Sequence, residues 1–509
     1  MFNYSVSEIK DFLALKSFAR ERFIDLDPFS FFAVRLFMER FDVLVIGTGS
    51  GMIVASTAVE NGFKVAVVDK GPMGGTCLNV GCVPSKMLIY PADVVAMFNE
   101  AQALGIHGAV SSVDFKNILD RTRALVNHDS SEQAEAVRAT PNLKWYNQQG
   151  EFISDYTLQV GDETIRAEMV FIVSGVRPAI PKFKGIEGVD FLTSDTVFQL
   201  QKRPRSIVII GGGYVGVEYA HFFSGIGAKT TLIQRNPNLV PDEEPEISQL
   251  LRSELAKRME ILTNTEVVEL RQYGASKTVF ARNRADGSLR EFTADALMLA
   301  TGRVPNSDIL KPEKTGVKVD EQGFVRVNEY LETSKKNVWA FGDAIGKQMF
   351  KHVANYEASI AWHNSVHDHK VVMDYSVAPH AVFTYPQVAS IGLREAEALQ
   401  QGYDVLIGVA HYRDTAMGGA MGEPNGFVKV LVENKTGKIL GAHIIGPEAS
   451  SLIQEITNAM NTDDRSYTPI IRGMHIHPAL SEVVQNAFGN LTPAKSKRVN
   501  IDNSLSIGR

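Results

Sequence analysis

Two thiols carry the clearest chemical signal in the sequence. Cys77 and Cys82 are its only cysteines, and both lie in GGTCLNVGCVPSK, which runs from Gly74 to Lys86. Random placement in a chain of 509 residues would rarely set its two thiols five positions apart. The pair precedes PSKMLIYPADVVAMF, a run that predicts a helix. Thiols at the positive end of a helix can have their pKa lowered from ~8.5 into roughly the 3.5–7.5 range. The thiolate is the form that attacks a disulfide. Gly74, Gly75 and Gly81 give the segment backbone freedom. The competing reading is a pair of buried, inert cysteines. Two cysteines are too few for a secreted disulfide framework or an all-sulfur zinc site, so a reducing compartment, the cytoplasm, is expected.

A second candidate chemistry lies in HIHPALSE, which offers His475, His477 and Glu482. Histidine titrates in the range needed to move a proton to and from sulfur, and a carboxylate partner fixes its tautomer and stabilises its cation. His477 precedes Pro478, so a helix opened by the proline would leave the imidazole at its entrance. Two structural histidines in a packed segment are the alternative, and His475 stands close enough to be confused with His477.

The elements that must position these groups begin at Phe41. FDVLVIGTGSG, the amphipathic stretch from Ile53 to Asn61 and KVAVVDKG read as strand, glycine turn, helix and strand. Gly47 permits the tight turn, and Gly49 lets a phosphate approach the helix N-terminus. The third fingerprint position is Met52, with Gly51 one place earlier. Asp69 closes the second strand 22 residues after Gly47, where an acid can accept hydrogen bonds from a ribose. A tight turn with no ligand is the plain alternative. The same grammar returns in SIVIIGGGYVGVEYAHFFSGIGAKTTLIQR, where Gly211, Gly213 and Gly216 complete the fingerprint. Here the strand end carries Gln234 and Arg235. An amide beside a guanidinium leaves room for a 2′-phosphate and favours NADPH over NADH, unless Arg235 is only a solvated loop charge.

The remaining texture completes an α/β architecture: two Rossmann-like dinucleotide-binding domains and a C-terminal α+β domain. The length fits about three domains. FISDYTLQVGDETIRAEMVFIVSG reads as β-hairpins, and PHAVFTYPQVASIGL onward as the α+β layer. The expected divisions are an extension of unknown role at 1–38, a first dinucleotide domain at 39–185, a second at 186–305, a return to the first at 306–375, and the C-terminal domain at 376–509. The tail KSKRVNIDNSLSIGR reads as polar and frayed. A net charge of −6 with no basic tract argues against nucleic-acid or anionic-membrane partners. No apolar run of ~18 residues stands out, so no membrane span is expected. Three other features read as bland: PDEEPEI as a solvated turn and helix start, AMGGAMGEPNGF as a loop, and His352 and Tyr356 as packing residues on a helix.

GGTCLNVGCVPSKML resembles the redox segment of the class I pyridine nucleotide–disulfide oxidoreductases. The order of FIVSGVRPAIP, the second glycine turn, LATGRVPN, NVWAFGDA and HIHPALSEVV is similar along the chain from Met38. The resemblance implies FAD held by Gly47, Gly49, Gly51, Asp69, Thr76, Lys86, Gly150, Ser174, Gly175, Asp343 and Ala344. It implies NAD(P)(H) held by Gly211, Gly213, Tyr214, Gly216, Gln234, Arg235 and Gly302. Cys77 would be the interchange thiol and Cys82 the thiol against the flavin. Lys86 would sit near flavin N5 and pair with Glu218, and Tyr214 would cover the nicotinamide pocket. His477, oriented by Glu482, would be the acid–base residue supplied by the other subunit of a homodimer, with residues after 376 forming the interface. Within the family, Leu78, Ser85 and HPALSE resemble dihydrolipoamide dehydrogenase, which makes oxidation of a dihydrolipoyl group, in or out of a lipoyl-bearing complex, the leading expectation. Gln234–Arg235, KHVANYEA and GTGSGM are closer to mycothione reductase and similar NADPH-dependent reductases of small disulfides. Mercuric reductase ranks lower, because no cysteine follows Cys82. A flavin-binding redox sensor without turnover is the reading from another class; the full set of Cys77, Cys82, Lys86, Glu218, His477 and Glu482 argues against it.

Overall fold

A computed structural model describes residues 38–494. The expectations for the N-terminal extension and for the polar tail lie outside them.

The apolar run after Met38 forms β1 (Met38–Ile46), and the glycine turn delivers the chain into α1 (Gly51–Glu60) and back along β2 (Val65–Val68). β1 and β2 pair in parallel, and over Val43–Ile46 and Val65–Val68 both faces are buried, which is why these stretches are continuous apolar runs and do not alternate. α2 (Gly75–Asn79) and α3 (Cys82–Glu100) carry the cysteines, and α4 (Phe115–Ala139) leads to β3 (Leu143–Tyr146). The expected hairpins are the antiparallel β4 (Gly150–Ser154), β5 (Thr157–Val160) and β6 (Glu163–Ile172). Much later in the chain, β16 (Val338–Ala340) adds in parallel to β6. The sheet order is β3-β2-β1-β6-β5-β4, with β16 against β6.

The second unit repeats the first. β8 (Ser206–Ile210), α5 (Tyr214–Gly225), β9 (Lys229–Ile233), α6 (Pro245–Ala256), β10 (Glu260–Leu262) and β14 (Ala296–Leu299) build a parallel sheet in the order β10-β9-β8-β14. A three-stranded antiparallel sheet spans Thr265 to Ala294. After α7 (Lys351–Val366), a six-stranded sheet includes β17 (His380–Val382), β18 (Gln387–Gly392), β20 (Phe427–Glu433) and β21 (Ile439–Gly446), all antiparallel. α8 (Ala449–Met460) and α9 (Glu482–Gly489) pack into the core of that sheet.

Four expectations change. Gly75–Leu104 is, by length and composition alone, long and apolar enough to cross a bilayer. Two of its three charges, Lys86 and Asp93, are paired to Glu218 and His221 of α5, and the third, Glu100, accepts from Tyr385 Oη. The two helices also cross so closely that a Cβ on Gly225 would meet Ala92 Cβ at 2.6 Å. The stretch is thus broken at Gly81 and packed along one face against α5. AMGGAMGEPNGF is in part helical, Ala416–Met421, capped by Thr415 accepting from Gly418 N. His352 and Tyr356 are exposed; the helix packs through Val353, Ala354, Ala358 and Ala361, and its Glu357 is fully buried and accepts from Gly342 N and Tyr375 Oη. PDEEPEI does start α6 at Pro245, but Glu243 and Glu244 are only 2% exposed.

Candidate active site

The cysteine segment is pressed onto the first glycine turn. A Cβ on Gly75 would lie 2.8 Å from Gly49 N and Cα. At Gly81 the chain folds back so tightly that a Cβ would lie 2.8 Å from Thr76 O and 3.1 Å from Cys77 Cα. This approach brings Cys82, the first residue of α3, against Cys77 on α2, with the two sulfurs unbridged and hydrogen-bonded to each other. The S–H of Cys82 lowers the Cys77 pKa to about 6, against the penalty of burial, with the Lys351 ammonium and the N–H groups of Cys82 and Val83 adding to the effect. Cys82 is held up, because losing its proton would remove that bond and set two thiolates side by side. Thr76 is exposed at the mouth of the segment.

Around this pair the structure joins residues distant in sequence. Lys86 Nζ donates to Glu218 Oε2 at 2.8 Å and to Oε1 at 3.1 Å, and lies 4.5 Å from the Phe383 ring centroid. Glu218 Oε1 also accepts from Phe383 N. Lys351, which the sequence reading missed, reaches from the first turn of α7 to donate to Ser50 Oγ of the glycine turn at 3.0 Å. Burial lowers its pKa, and the two cysteines and Asp343 pull the other way. Asp343 is raised by burial and countered by Arg303 and Lys351. Arg303, also missed, is half-buried: Nη1 donates to Ser194 Oγ at 3.5 Å, while Nε and Nη2 are buried and lack a partner among the described residues. For Arg303 the signal is a lone cation in the small and apolar run LATGRVPN.

The two turns can be tested for fit to nucleotides. Gly47 and Gly211 have φ of +118° and +110°, and a Cβ on either would lie 2.1 Å from a carbonyl oxygen, that of Val173 or Ala300. Gly49, Gly175, Gly213 and Gly302 face open space, with nothing within 4 Å of a Cβ. Gly51 and Gly216 serve packing: a Cβ would strike Val45 Cγ1 at 2.7 Å or Gly211 O at 1.8 Å. Gly150 likewise packs against Leu158 and Val68. Ser174 O accepts from Asn306 Nδ2, and Ala344 is buried behind Asp343. Asp69 Oδ2 accepts from Thr48 N and Oγ1, and Oδ1 from Gly71 N, which leaves lone-pair capacity for a ribose hydroxyl. Open glycine backbone at both turns, spare capacity at Asp69, and the unpartnered Nε and Nη2 of Arg303 fit an anionic dinucleotide. Gln234 is turned inward, its Oε1 accepting from Gly212 N and its Nε2 donating to Asn238 O, so it braces the turn and does not line the ribose site. Arg235 is exposed, and Arg284 Nη1 donates to its carbonyl at 3.3 Å.

The C-terminal histidines separate cleanly. His475 Nε2 is held by Glu455 Oε1 at 2.8 Å, and its Nδ1 faces Gly473 O. His477 Nδ1 donates to Glu482 Oε1 at 2.8 Å, while the imidazole is 73% exposed. Glu482 is held below the usual carboxylate range by His477 first and by the N–H of Ala479 next. Pro478 does not open a helix, contrary to expectation: α9 begins at Glu482, and the His477–Pro478 bond is cis in an extended loop. No hydrogen bond links His477 to either cysteine within the chain.

The chain belongs to the class I pyridine nucleotide–disulfide oxidoreductases. The sequence profile described as pyridine nucleotide-disulphide oxidoreductase matches residues 41–358, and that of the family's dimerisation domain matches 378–488. The chain is 37% identical to mycothione reductase of Mycobacterium tuberculosis, over 89% of this chain and 99% of the other. It is 32% identical to dihydrolipoyl dehydrogenase of Chlamydia muridarum, over 87% and 95%, and 32% identical to mercuric reductase of Staphylococcus aureus, over 82% and 77%. The solved Cu(II) complex of the HOCl-induced flavoprotein disulfide reductase RclA from Escherichia coli superposes with a TM-score of 0.80 at 26% identity, covering 89% of this chain and 99% of that one. The protein is therefore an NAD(P)-linked flavoprotein oxidoreductase of disulfides, with FAD and a pyridine nucleotide as cofactors.

Proposed function

We propose that this enzyme is an NADPH-dependent reductase of a small, soluble disulfide, working as a homodimer in a reducing compartment. The observation that carries this reading is the strand end after β9. It offers the guanidinium of Arg235 with Arg284 close by, and its neighbour Gln234 is occupied inside the turn. A guanidinium can pair with a 2′-phosphate, whereas an acid at this point would repel it. Likeness to dihydrolipoamide dehydrogenase at Leu78 and Ser85 carries less weight than the sequence alone implied. Both residues are buried: Leu78 lies under Gly74, and Ser85 donates to Cys82 O, so neither reads the external thiol.

Bound FAD would supply the two-electron relay between nicotinamide and the cysteine pair. The chain's own residues do the rest. The Cys77 thiolate attacks one sulfur of the substrate disulfide, forming a mixed disulfide and expelling one thiolate. Cys82 then attacks Cys77 Sγ, closing the Cys77–Cys82 disulfide and expelling the second. His477 Nε2 of the partner copy donates its proton to the first leaving sulfur, then takes the Cys82 proton as that thiol attacks and passes it to the second, with Glu482 holding the tautomer. The balance is NADPH, one proton and a disulfide in, and NADP⁺ and two thiols out. A second copy is required because His477 points outward with Met474 and Ile476, both exposed. The outer face of α3, with Tyr90, Val94 and Met97, is equally uncovered.

Steady-state kcat/KM for NADPH and NADH, each against glutathione disulfide, mycothiol disulfide and lipoamide, tests the reading. At least a tenfold preference for NADPH with a small thiol disulfide is expected. A preference for NADH with lipoamide would replace this reading by dihydrolipoamide dehydrogenase. No turnover with any couple, despite bound flavin, would favour the sensor.

A further inference from the structure

We propose that Glu243 and His380 are positioning residues that latch Tyr214 over the second glycine turn, so that a nicotinamide ring enters only when this latch opens. The proposal rests on the assignment of that turn to the pyridine nucleotide. Tyr214 is the first residue of α5. Its ring stacks on His380 (centroids 5.6 Å apart, planes at 20°) and on Phe350 (6.1 Å, 27°). Its hydroxyl donates to Glu243 Oε1 at 2.9 Å and lies 3.2 Å from His380 Nε2. His380 Nε2 is itself 2.7 Å from the same carboxylate oxygen, and an ionised carboxylate only accepts, so both are donors. Glu243 Oε2 takes the hydroxyl of Ser390 at 2.6 Å.

These residues come from separate parts of the chain. Glu243 follows β9, His380 and Ser390 belong to β17 and β18, and Phe350 precedes α7. The neighbouring Glu244 meets Lys429 of β20 at 3.4 Å and His443 of β21 at 3.7 Å. His443 in turn lies 3.1 Å from Ser390 Oγ. Tyr214 is thus held by a buried polar hub that joins the second nucleotide unit to the C-terminal sheet.

A buried carboxylate must keep its donors, and donors to a charged acceptor make the stronger hydrogen bonds. Swinging Tyr214 aside removes one donor from Glu243 and two stacking contacts. The apparent affinity for any ligand that needs the open pose falls in proportion to the open fraction. The latch therefore sets nicotinamide affinity without touching the nicotinamide.

The test uses the FAD-loaded enzyme and two variants. His380→Phe keeps a stacked ring and removes the N–H; Tyr214→Phe removes the hydroxyl. Each is expected to bind NADPH about tenfold more tightly, equivalent to about 1.4 kcal/mol. In His380→Phe the rate at which dithiothreitol reduces the cysteine pair should stay within twofold. Nitration of Tyr214 by tetranitromethane, followed by peptide mass spectrometry, should be several-fold faster in His380→Phe. Unchanged NADPH affinity, equal changes in both half-reactions, or unchanged nitration would each overturn the latch. If NADPH fails to reduce the flavin even in the unaltered enzyme, the functional reading falls instead, and the nitration rates alone decide the latch.

Discussion

The two glycine turns share one backbone and differ in what closes them. In each, a left-handed glycine (Gly47 or Gly211) sits against a carbonyl of a neighbouring strand end, and a second glycine (Gly49 or Gly213) faces open space. The strand-end residue braces both turns: Asp69 accepts from Thr48 N, and Gln234 accepts from Gly212 N. The bond is the same and the charge differs. Over the first turn lie the cysteine segment and Lys351; over the second lie Tyr214, Glu243 and His380. The difference shows that the strand-end position does two jobs, holding the turn and setting its charge, and that an amide preserves the first while surrendering the second to Arg235.

The sharpest way to break this comparison is at the glycines. Gly47→Ala and Gly211→Ala place a Cβ 2.1 Å from a carbonyl oxygen, so neither variant should accumulate as soluble, folded protein. Gly49→Ala and Gly213→Ala meet nothing, so both should fold, yet the first should purify without flavin absorbance and the second should lose NADPH binding by calorimetry. A flavin-loaded Gly49→Ala protein would show that this backbone does not approach a phosphate.

Next in size is charge at the second strand end. Arg235→Glu should lower kcat/KM for NADPH by roughly 10- to 100-fold, the size of a lost charged hydrogen bond of about 1.5–3 kcal/mol, and leave NADH little changed. An equal loss with both nucleotides would place Arg235 outside the 2′-phosphate site.

The cysteine side of the comparison is read by pH. The Cys77 pKa is lowered to about 6, so the thiolate is present above that pH and is lost as pH falls through it. The rate at which iodoacetamide alkylates Cys77 in the reduced, flavin-free protein should therefore fall across about pH 6. Cys82→Ala removes the leading cause of the shift and should move the inflection upward.

The smallest effect is the brace itself. Gln234→Ala leaves Gly212 N–H unpaired in a buried turn and should cost about 1–3 kcal/mol of stability, measured by urea unfolding. Gln234→Glu should keep much of that stability while weakening NADPH binding.

What was legible in the sequence was local. Glycine spacing, the C-x4-C pair and the strand ends are set by short-range sterics, and the structure keeps them together. Pairings across long separations needed the fold. Lys86 meets Glu218, and His477 meets Glu482, as the family resemblance implied. PDEEPEI misled because an acidic run reads as solvated. Its burial depends on His380, Ser390 and Lys429, which lie far along the chain and which no local pattern connects to it. Gln234 misled for a similar reason, since an amide gives no sign of whether it turns toward a ligand or back into its own loop. Pro478 was read as a helix opener, yet Ser481 and Glu482 start α9. Arg303 passed unnoticed because a single cation in an otherwise small and apolar segment announces no partner, and Lys351 because it stands among other basic residues, Lys347 and His352.

The central claim is that electrons from NADPH reach the Cys77–Cys82 pair. Anaerobic titration of the air-oxidised, FAD-loaded enzyme with NADPH, followed by counting accessible thiols under denaturing conditions, tests it most directly. The account predicts no free thiol before reduction and both of the chain's two cysteines free after it, with Cys82→Ser showing no such change. Full bleaching of the flavin with an unchanged thiol count would contradict it.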